Sequence, residues 1–180
     1  MGEDKHLLET EVSAEQVFNG HLLNVRKDVV RLPNGQHSIR EYIIHPGAVV
    51  VLAFLPNGNL LFERQFRYPL RKVFTELPAG KIDPGEDIHL TARRELLEET
   101  GYEASDWRHL GVMHPCIGYA NERIEIFCAK GLQRTSGGQL DDNEFLDVIE
   151  ISPEEAKQMV WRGEITDAKT ITALFWLERC

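Results

Sequence analysis

The chain has 180 residues, of which 42% are hydrophobic and 27% charged, and a formal net charge of −9. This composition is ordinary for one soluble domain with a sizeable core, and the acidic balance argues against a general nucleic-acid-binding protein, which would carry a basic surface. The three unpatterned cysteines suit a reducing compartment, and no signal-peptide or membrane-spanning pattern is present, so we expect a cytoplasmic protein without membrane partners.

Residues 1–45 predict an N-terminal antiparallel β unit. Residues 6–31 mix charged and apolar side chains in partial alternation, which favours strands. Residues 33–35, Pro-Asn-Gly, are a turn signal, and residues 37–44 are predicted to form the return strand. Because this unit has few apolar clusters of its own, we expect it to pack on the main sheet or on a second subunit.

Residues 46–180 predict the main domain. The continuous apolar run from Gly47 to Leu55 favours a buried central strand. The turn residues 56–59 are predicted to close a hairpin with a strand over residues 60–66. Further strands are predicted at residues 74–77, 107–114, 123–130 and 145–151.

Two helices are predicted after the last strand. Ser152 opens a capping box with Pro at the first helical position, and this helix should end at Gly163. Asp167 can cap a final helix with the apolar residues Ile171, Leu174, Phe175 and Leu177. The order strands, helix, strands, helices indicates an α/β or α+β fold.

Residues 80–102 concentrate charge on a loop followed by a helix. Three carboxylates stand at i, i+3 and i+4 and so share one helical face: Glu95, Glu98 and Glu99. They repel one another by a few tenths of a kcal/mol per pair, and each opposes the helix dipole by roughly 0.3–1 kcal/mol. Arg93 and Arg94 can compensate part of this charge, and a hard divalent cation such as Mg²⁺ can compensate the rest.

This stretch resembles the Nudix hydrolase box, G-x5-E-x7-R-E-U-x-E-E-x-G-U, in which U is a bulky apolar residue. All fixed positions match: Gly80, Glu86, Arg94, Glu95, Leu96, Glu98, Glu99, Gly101 and Tyr102. A solvated acidic helix face, the usual fate of a charge run, would explain neither the loop glycines nor the apolar Leu96. The resemblance implies an α/β/α sandwich with a mixed sheet, to which the N-terminal antiparallel unit is added.

The resemblance also implies hydrolysis of a nucleoside diphosphate derivative with Mg²⁺, or alternatively Mn²⁺. The implied metal ligands are Glu95, Glu99, Glu98 and the backbone carbonyl of Ala79, and Glu98 is also a catalytic candidate. Glu86 is expected to brace the loop, for instance by pairing with Arg94, rather than to bind metal. Because residues 83–86 also resemble a helix start, the beginning of the helix stays open.

The flanking sequences resemble the ADP-ribose pyrophosphatase subfamily. The matching segments are residues 63–69, residues 76–80, Pro115 and residues 163–174. They imply hydrolysis of ADP-ribose to AMP and ribose 5-phosphate by a homodimer whose N-terminal β unit lies at the interface. Two alternatives stay open: a pyrophosphatase for nucleotide sugars such as GDP-mannose or for a broad range of substrates, and a non-catalytic ADP-ribose-binding domain.

Three residues match substrate-binding positions of this subfamily. Arg67 corresponds to a phosphate contact, for which the planar guanidinium is well suited. Arg40 corresponds to a contact near the neighbouring subunit's site, and Glu122 to a carboxylate that orients polar groups of the substrate. Phe18 and Tyr119 are possible stacking partners for adenine.

The resemblance also implies a catalytic acid outside the box, in the acidic loop at residues 141–144. Glu144 is the first candidate for the general base and Asp142 the second, because such a base must come within hydrogen-bond distance of the attacking water. Gly137 and Gly138 are consistent with a hinge for this loop.

Overall fold

The computed structural model describes residues 4–135 and 145–180. The chain divides into two compact units, one made of residues 1–45 and 116–122 and the other of residues 46–115 and 123–180. Within the described residues, no helix combines the length and the hydropathy needed to cross a bilayer.

The first unit is a three-stranded antiparallel sheet with the order β1-β2-β3. Its strands are β1 (Thr10–Asn19), β2 (Asn24–Arg31) and β3 (His37–Ile44). Gly35 has φ 84° in the predicted turn between β2 and β3, a conformation that favours glycine. All ten residues of β1 are exposed, so little of this unit is buried within itself.

The second unit contains seven strands and three α-helices among its described residues. The strands are β4 (Ala48–Ala53), β5 (Leu60–Arg67), β6 (Lys72–Glu76), β7 (Ala79–Lys81), β8 (Tyr102–Met113), β9 (Ile124–Arg134) and β10 (Leu146–Ile151). The helices are α1 (Ile88–Thr100), α2 (Pro153–Trp161) and α3 (Ala168–Phe175). The strands form a mixed sheet in the order β7-β4-β9-β8 and an antiparallel sheet in the order β10-β5-β6.

Strand β4 lies at the centre of this unit, with all six residues buried. Its alternate side chains serve two separate cores, as expected for a strand covered on both faces. Val49 and Val51 pack in the core that contains Leu96 of α1. Val50 and Leu52 pack in the core that contains residues of α2 and α3. This layering confirms the predicted α/β/α arrangement.

The helix ends confirm most of the predicted capping residues. They also show where the helix of the Nudix box begins, which the sequence left open. Helix α1 begins after Asp87, whose side chain accepts a hydrogen bond from the His89 N–H, so Glu86 lies outside the helix. Gly101 ends this helix in the left-handed conformation, with φ 73°. Ser152 and Asp167 cap α2 and α3 as predicted.

One prediction about the second unit is confirmed only in part, and another is wrong. The turn at residues 56–59 forms, with the Leu55 N–H bonded to the Asn59 carbonyl at 2.8 Å and an antiparallel bridge between Phe54 and Leu60, but β4 and β5 then continue in different sheets. The final α-helix stops at Phe175, so Leu177 lies instead in a 3-10 helix, Leu177–Arg179. Strand β7, inside the predicted loop, was not expected.

Candidate active site

Helix α1 and strand β7 bring most of the predicted metal-site residues together. Leu96 is fully buried and anchors α1 on the mixed sheet. This orientation directs Glu99 toward β7, where one of its carboxylate oxygens accepts a hydrogen bond of 3.1 Å from the Ala79 N–H. The Glu99 side chain is therefore fixed against the backbone whose carbonyl was predicted to bind metal.

Gly80 leaves the space that the Glu95 carboxylate occupies. A Cβ atom built on Gly80 would lie 1.8 Å from the carboxyl carbon of Glu95 and 2.1 and 2.2 Å from its oxygens. The backbone of Gly80 is not in the left-handed region, so glycine is needed here for the close approach rather than for its conformation. The first glycine of the box thus holds Glu95 next to β7.

Arg94 connects the loop of the box to the helix. Its guanidinium donates to both oxygens of Glu86, at 3.0 Å each, and to Glu95 and Glu98 at 2.9 and 3.0 Å. Glu86 also accepts from the Thr91 hydroxyl at 2.8 Å. The hydrogen bonds from Arg94 lower the pKa of Glu86 to about 2. This network braces the loop against the helix.

A second buried carboxylate, Glu63 on β5, faces Glu99. The two residues are 3% and 7% exposed, and their side chains hydrogen bond to each other. Burial, followed by the charges of Glu63 and Glu95, raises the pKa of Glu99 to about 10, although the Ala79 N–H opposes the shift. Because two carboxylates this close cannot both ionise at low cost in a buried site, a cation would stabilise their ionised forms.

The donor set fits a hard divalent cation. All candidate side chains offer carboxylate oxygens, which Mg²⁺ prefers, and their negative charges exceed what Arg94 neutralises. Within the described parts of the chain, no three His, Cys, Asp or Glu side chains already converge as a complete set of metal ligands. Glu95 and Glu98 are instead bonded to Arg94, so metal binding requires these carboxylates to exchange part of that contact for the ion.

Arg67 lies at the end of β5 and forms a bidentate pair with Glu76. Its Nε and Nη2 atoms donate to the two Glu76 oxygens at 2.8 and 2.7 Å. Lys169 of α3 bonds to the same carboxylate and to Asp167. Burial would raise the pKa of Glu76, but the bonds and charges of Arg67 and Lys169 outweigh it and lower that pKa. The hydrogen bonds to Glu76 raise the pKa of Arg67, and the charges of Asp167 and Glu99 add to this shift, so the guanidinium lies in the field of the carboxylate site.

The remaining predicted substrate residues belong to the first unit. Arg40 pairs with Glu9 through two nitrogens and donates to Ser38 and to the Ile39 carbonyl. Its neighbour Tyr119 is 59% exposed and lines, with Arg40, a cavity of about 310 Å³. The Glu122 carboxylate lies 3.7 Å from the His45 ring.

Other candidates have less structural support. Phe18 is 55% exposed on β1 and is one of several exposed apolar side chains there. Glu144, Asp142, Gly137 and Gly138 lie outside the described residues, so the proposed base and hinge remain sequence-based predictions.

Sequence reasoning missed the supporting residues Glu63, Lys169 and Thr170. Glu63 carried no decisive signal, because it follows three buried apolar residues of β5 but a carboxylate is costly to bury. Lys169 and Thr170 carried none, since both lie about ninety residues from their partners Glu76 and Leu77.

Comparisons with known proteins match both the N-terminal part and the main domain of the chain. Residues 44–174 match the NUDIX domain family, and residues 9–43 match the nucleoside diphosphate sugar hydrolase N-terminal domain family. A crystal structure of an ADP compounds hydrolase has the same fold, with a TM-score of 0.85 and 24% identity over 96% of this chain and 94% of that one.

Three curated relatives span nearly the whole chain. A methanol dehydrogenase activator of Bacillus methanolicus is 42% identical over 94% of this chain and 92% of its own length. An ADP-ribose pyrophosphatase of Bacillus subtilis is 39% identical over 97% and 95%. A GDP-mannose pyrophosphatase of Klebsiella pneumoniae is 30% identical over 96% and 91%. Together with the family match over residues 44–174, these likenesses show that this chain belongs to the Nudix family of hydrolases.

Proposed function

We propose that this chain hydrolyses the pyrophosphate bond of ADP-ribose to AMP and ribose 5-phosphate. The observation that carries the proposal is the complete Nudix box folded with the buried Glu99 and the partly buried Glu95 against the Ala79–Gly80 backbone. The substrate assignment is supported by the 39% identical relative that is named for this activity.

Mg²⁺ is the cation that we propose for the site, with Mn²⁺ as the alternative. When bound, a divalent cation neutralises the charge of the pyrophosphate and polarises its P–O bonds. Glu95, Glu99 and Glu98 would hold it together with the Ala79 carbonyl. Glu63 adds buried negative charge beside Glu99 and so strengthens the attraction for a cation.

Arg67 is proposed to bind substrate phosphate. Its side chain is 44% exposed, and Glu76 and Lys169 hold it at the end of β5. Because Glu76 occupies Nε and Nη2 in the free protein, phosphate must either contact another edge of the guanidinium or displace the carboxylate. Glu144, or else Asp142, is proposed as the general base that takes a proton from the attacking water.

Arg40 and Glu122 are proposed to contact substrate as well, Arg40 near the site of a second subunit. The N-terminal unit supplies a surface for such a homodimer, because β1 is wholly exposed and carries apolar side chains. Size-exclusion chromatography with light scattering tests the dimer: a monomer at micromolar concentration would contradict it. We also propose that the protein acts in the cytoplasm on this small molecule and not on nucleic acid or membranes.

A pyrophosphatase for GDP-mannose or related nucleotide sugars is the second candidate, favoured by the 30% identical relative. The deciding experiment incubates the protein and Mg²⁺ with ADP-ribose, GDP-mannose and other nucleoside diphosphate sugars, and identifies the products by chromatography. The highest kcat/KM is expected for ADP-ribose, with AMP as a product. Preference for GDP-mannose would replace the substrate assignment, and binding of ADP-ribose without turnover would favour a non-catalytic domain.

Glu99→Gln tests the metal assignment within the same assay. We expect kcat/KM to fall more than about 100-fold, beyond the roughly 10–100-fold typical for residues that only support metal ligands. Glu103→Gln is the matched control, because Glu103 is an exposed carboxylate outside the box and its replacement should leave activity unchanged. An active Glu99→Gln protein would refute the assignment.

A further inference from the structure

Two of the three cysteines meet on the side of the second unit that faces α2 and α3. Cys128 lies on β9 and is 3% exposed within the core of that side. Cys180 follows the 3-10 helix Leu177–Arg179, is partly exposed, and packs against the same core. The two thiols hydrogen bond to each other. Contact between two free thiols is the first requirement for a disulfide.

Two cations hold this segment on the sheet. Lys130 stands two residues after Cys128, on the same face of β9, and its Nζ atom donates to the Cys180 carbonyl oxygen at 2.7 Å. Arg108 lies opposite Cys128 in the register of β8 and β9, and its Nη1 atom donates to the Arg179 carbonyl oxygen at 2.8 Å. Each carbonyl next to the Cys180 side chain is thus fixed by a residue that neighbours Cys128.

A tryptophan fixes the start of the same segment. A Cβ atom built on Gly111 of β8 would lie 2.3 Å from the Trp176 ring, so the indole packs directly on the strand backbone. With Trp176 and the two carbonyl contacts in place, Cys180 has little freedom to leave Cys128. The arrangement brings the thiols together at a small cost in conformational entropy.

The surroundings also favour the thiolate of Cys128. The hydrogen bond from Cys180 lowers the pKa of the Cys128 thiol, burial opposes this effect, and the charge of Lys130 adds to it. The thiol of Cys180 shows the reverse, because its hydrogen bond and its burial raise its pKa. The thiolate is the reactive form of cysteine, and the shared hydrogen bond and the charge of Lys130 favour its formation within this pair.

We propose that Cys128 and Cys180 form an intrachain disulfide when the protein meets a peroxide. The sulfur of one cysteine attacks one oxygen of hydrogen peroxide, the O–O bond breaks, and a sulfenic acid and one water form after uptake of the thiol proton. The sulfur of the other cysteine then attacks the sulfenic sulfur, and the hydroxyl leaves with the proton of that second thiol as a second water. Two thiols lose two electrons and two protons, and the peroxide is reduced to two waters.

The disulfide would clamp the end of the described chain to the sheet. It would also close a loop from residue 128 to residue 180, which restricts the unfolded chain far more than the already ordered folded state. From loop-closure entropy, the thermal midpoint should rise by roughly 5–15 °C on oxidation and return on reduction.

The test treats the reduced wild-type protein with hydrogen peroxide and then digests it without reducing agent. Mass spectrometry should detect the peptides of Cys128 and Cys180 joined with the loss of two hydrogen atoms. The Cys116→Ser variant should behave as wild type, because Cys116 lies in the first unit. The Cys180→Ser variant should fold with the midpoint of the reduced wild type and should show no rise after peroxide.

The proposal is wrong if Cys128 and Cys180 both remain free thiols after treatment that oxidises Cys116. It is equally wrong if Cys180→Ser gains the same thermal shift as wild type. These readouts are a mass and a melting temperature, so they do not depend on the proposed hydrolysis of ADP-ribose.

Discussion

The close approach of Gly80 to Glu95 gives a sharp test of the candidate site through the substitution Gly80→Ala. The new methyl group would lie 1.8 Å from the Glu95 carboxyl carbon, whereas ordinary contacts begin near 3.4 Å. The carboxylate must therefore retreat by about 1.6 Å. Because this group is the far end of a flexible side chain, it can move without unfolding the protein, but it cannot keep its place beside Ala79.

We expect Gly80→Ala to have a large effect on activity and a small effect on stability. A misplacement of about 1 Å in a catalytic group typically costs on the order of 100-fold in rate, so kcat/KM should fall at least about 100-fold, or ~2.7 kcal/mol. Replacing glycine in an allowed conformation stabilises by about 0.4–1 kcal/mol through the unfolded chain, which offsets part of the cost of moving Glu95. We therefore expect the free energy of unfolding to change by less than about 1 kcal/mol.

The measurement compares Gly80→Ala with Gly118→Ala. Gly118 also has no left-handed backbone and no atom within 4 Å of a built Cβ, so its replacement should leave the free energy of unfolding and the position of Glu95 unchanged. Initial rates with ADP-ribose and Mg²⁺ give kcat/KM, and urea unfolding gives the stability. Full activity of Gly80→Ala would show that the position of Glu95 is not required. Loss of activity together with loss of the fold would show that the clash was not absorbed by the side chain.

Three further predictions follow from the hydrogen bonds and the pKa values. In metal-free protein the pKa of Glu99 is raised from 4.5 to about 10, so the folded state holds a proton that the unfolded chain has lost. The free energy of unfolding should therefore fall as pH rises from 4.5 to about 10, and Glu99→Gln should make this decrease smaller. Thermal midpoints measured in EDTA across this pH range check the prediction. An equal dependence of the midpoint on pH in both proteins would contradict it. The pKa of Glu86 is lowered from 4.5 to about 2, so its pair with Arg94 stabilises above pH 4.5 and is lost as pH falls through 2. Glu86→Gln should cost about 1 kcal/mol at pH 7, after allowance for solvent screening, and nothing near pH 2, as measured by urea unfolding at both pH values. Thr170→Val removes the buried acceptor of the Leu77 N–H and should cost about 1–3 kcal/mol by urea unfolding; an unchanged midpoint would show that water replaces the hydroxyl.

Local signals in the sequence were sufficient for most individual elements. The fully apolar segment around Val50 predicted the central strand, and Asp167, Ser152 and Gly101 marked helix ends through side-chain and backbone chemistry that acts within a few residues. The pairing of strands was not predictable in the same way. The turn after Leu55 reverses the chain, but β4 pairs with β7 and β9, which follow later in the sequence, and tertiary contacts decide such pairing.

In the candidate site, too, local features were predictable from the sequence and features that depend on tertiary contacts were not. Glu95, Glu98 and Glu99 were found because helical periodicity places residues of one short segment on one face. Glu63 was missed because nothing local indicates that the end of an apolar strand will face α1. Strand β7 was missed because Ala79–Lys81 is short and contains glycine, so its extended form depends on pairing with β4.

The structure also shows which of the three carboxylates on α1 lacks a cationic partner among the described residues. Arg94 bonds to Glu95 and Glu98, whereas Glu99 is bonded to the Ala79 N–H and to Glu63, itself a carboxylate. Glu98 is 39% exposed and already has a cation, so its contribution to metal binding should be screened by water. We therefore expect Glu98→Gln to weaken Mg²⁺ binding less than Glu99→Gln, as measured by calorimetry without substrate. Equal losses would mean that the ion is shared along the helix face, and that burial of Glu99 does not set its position.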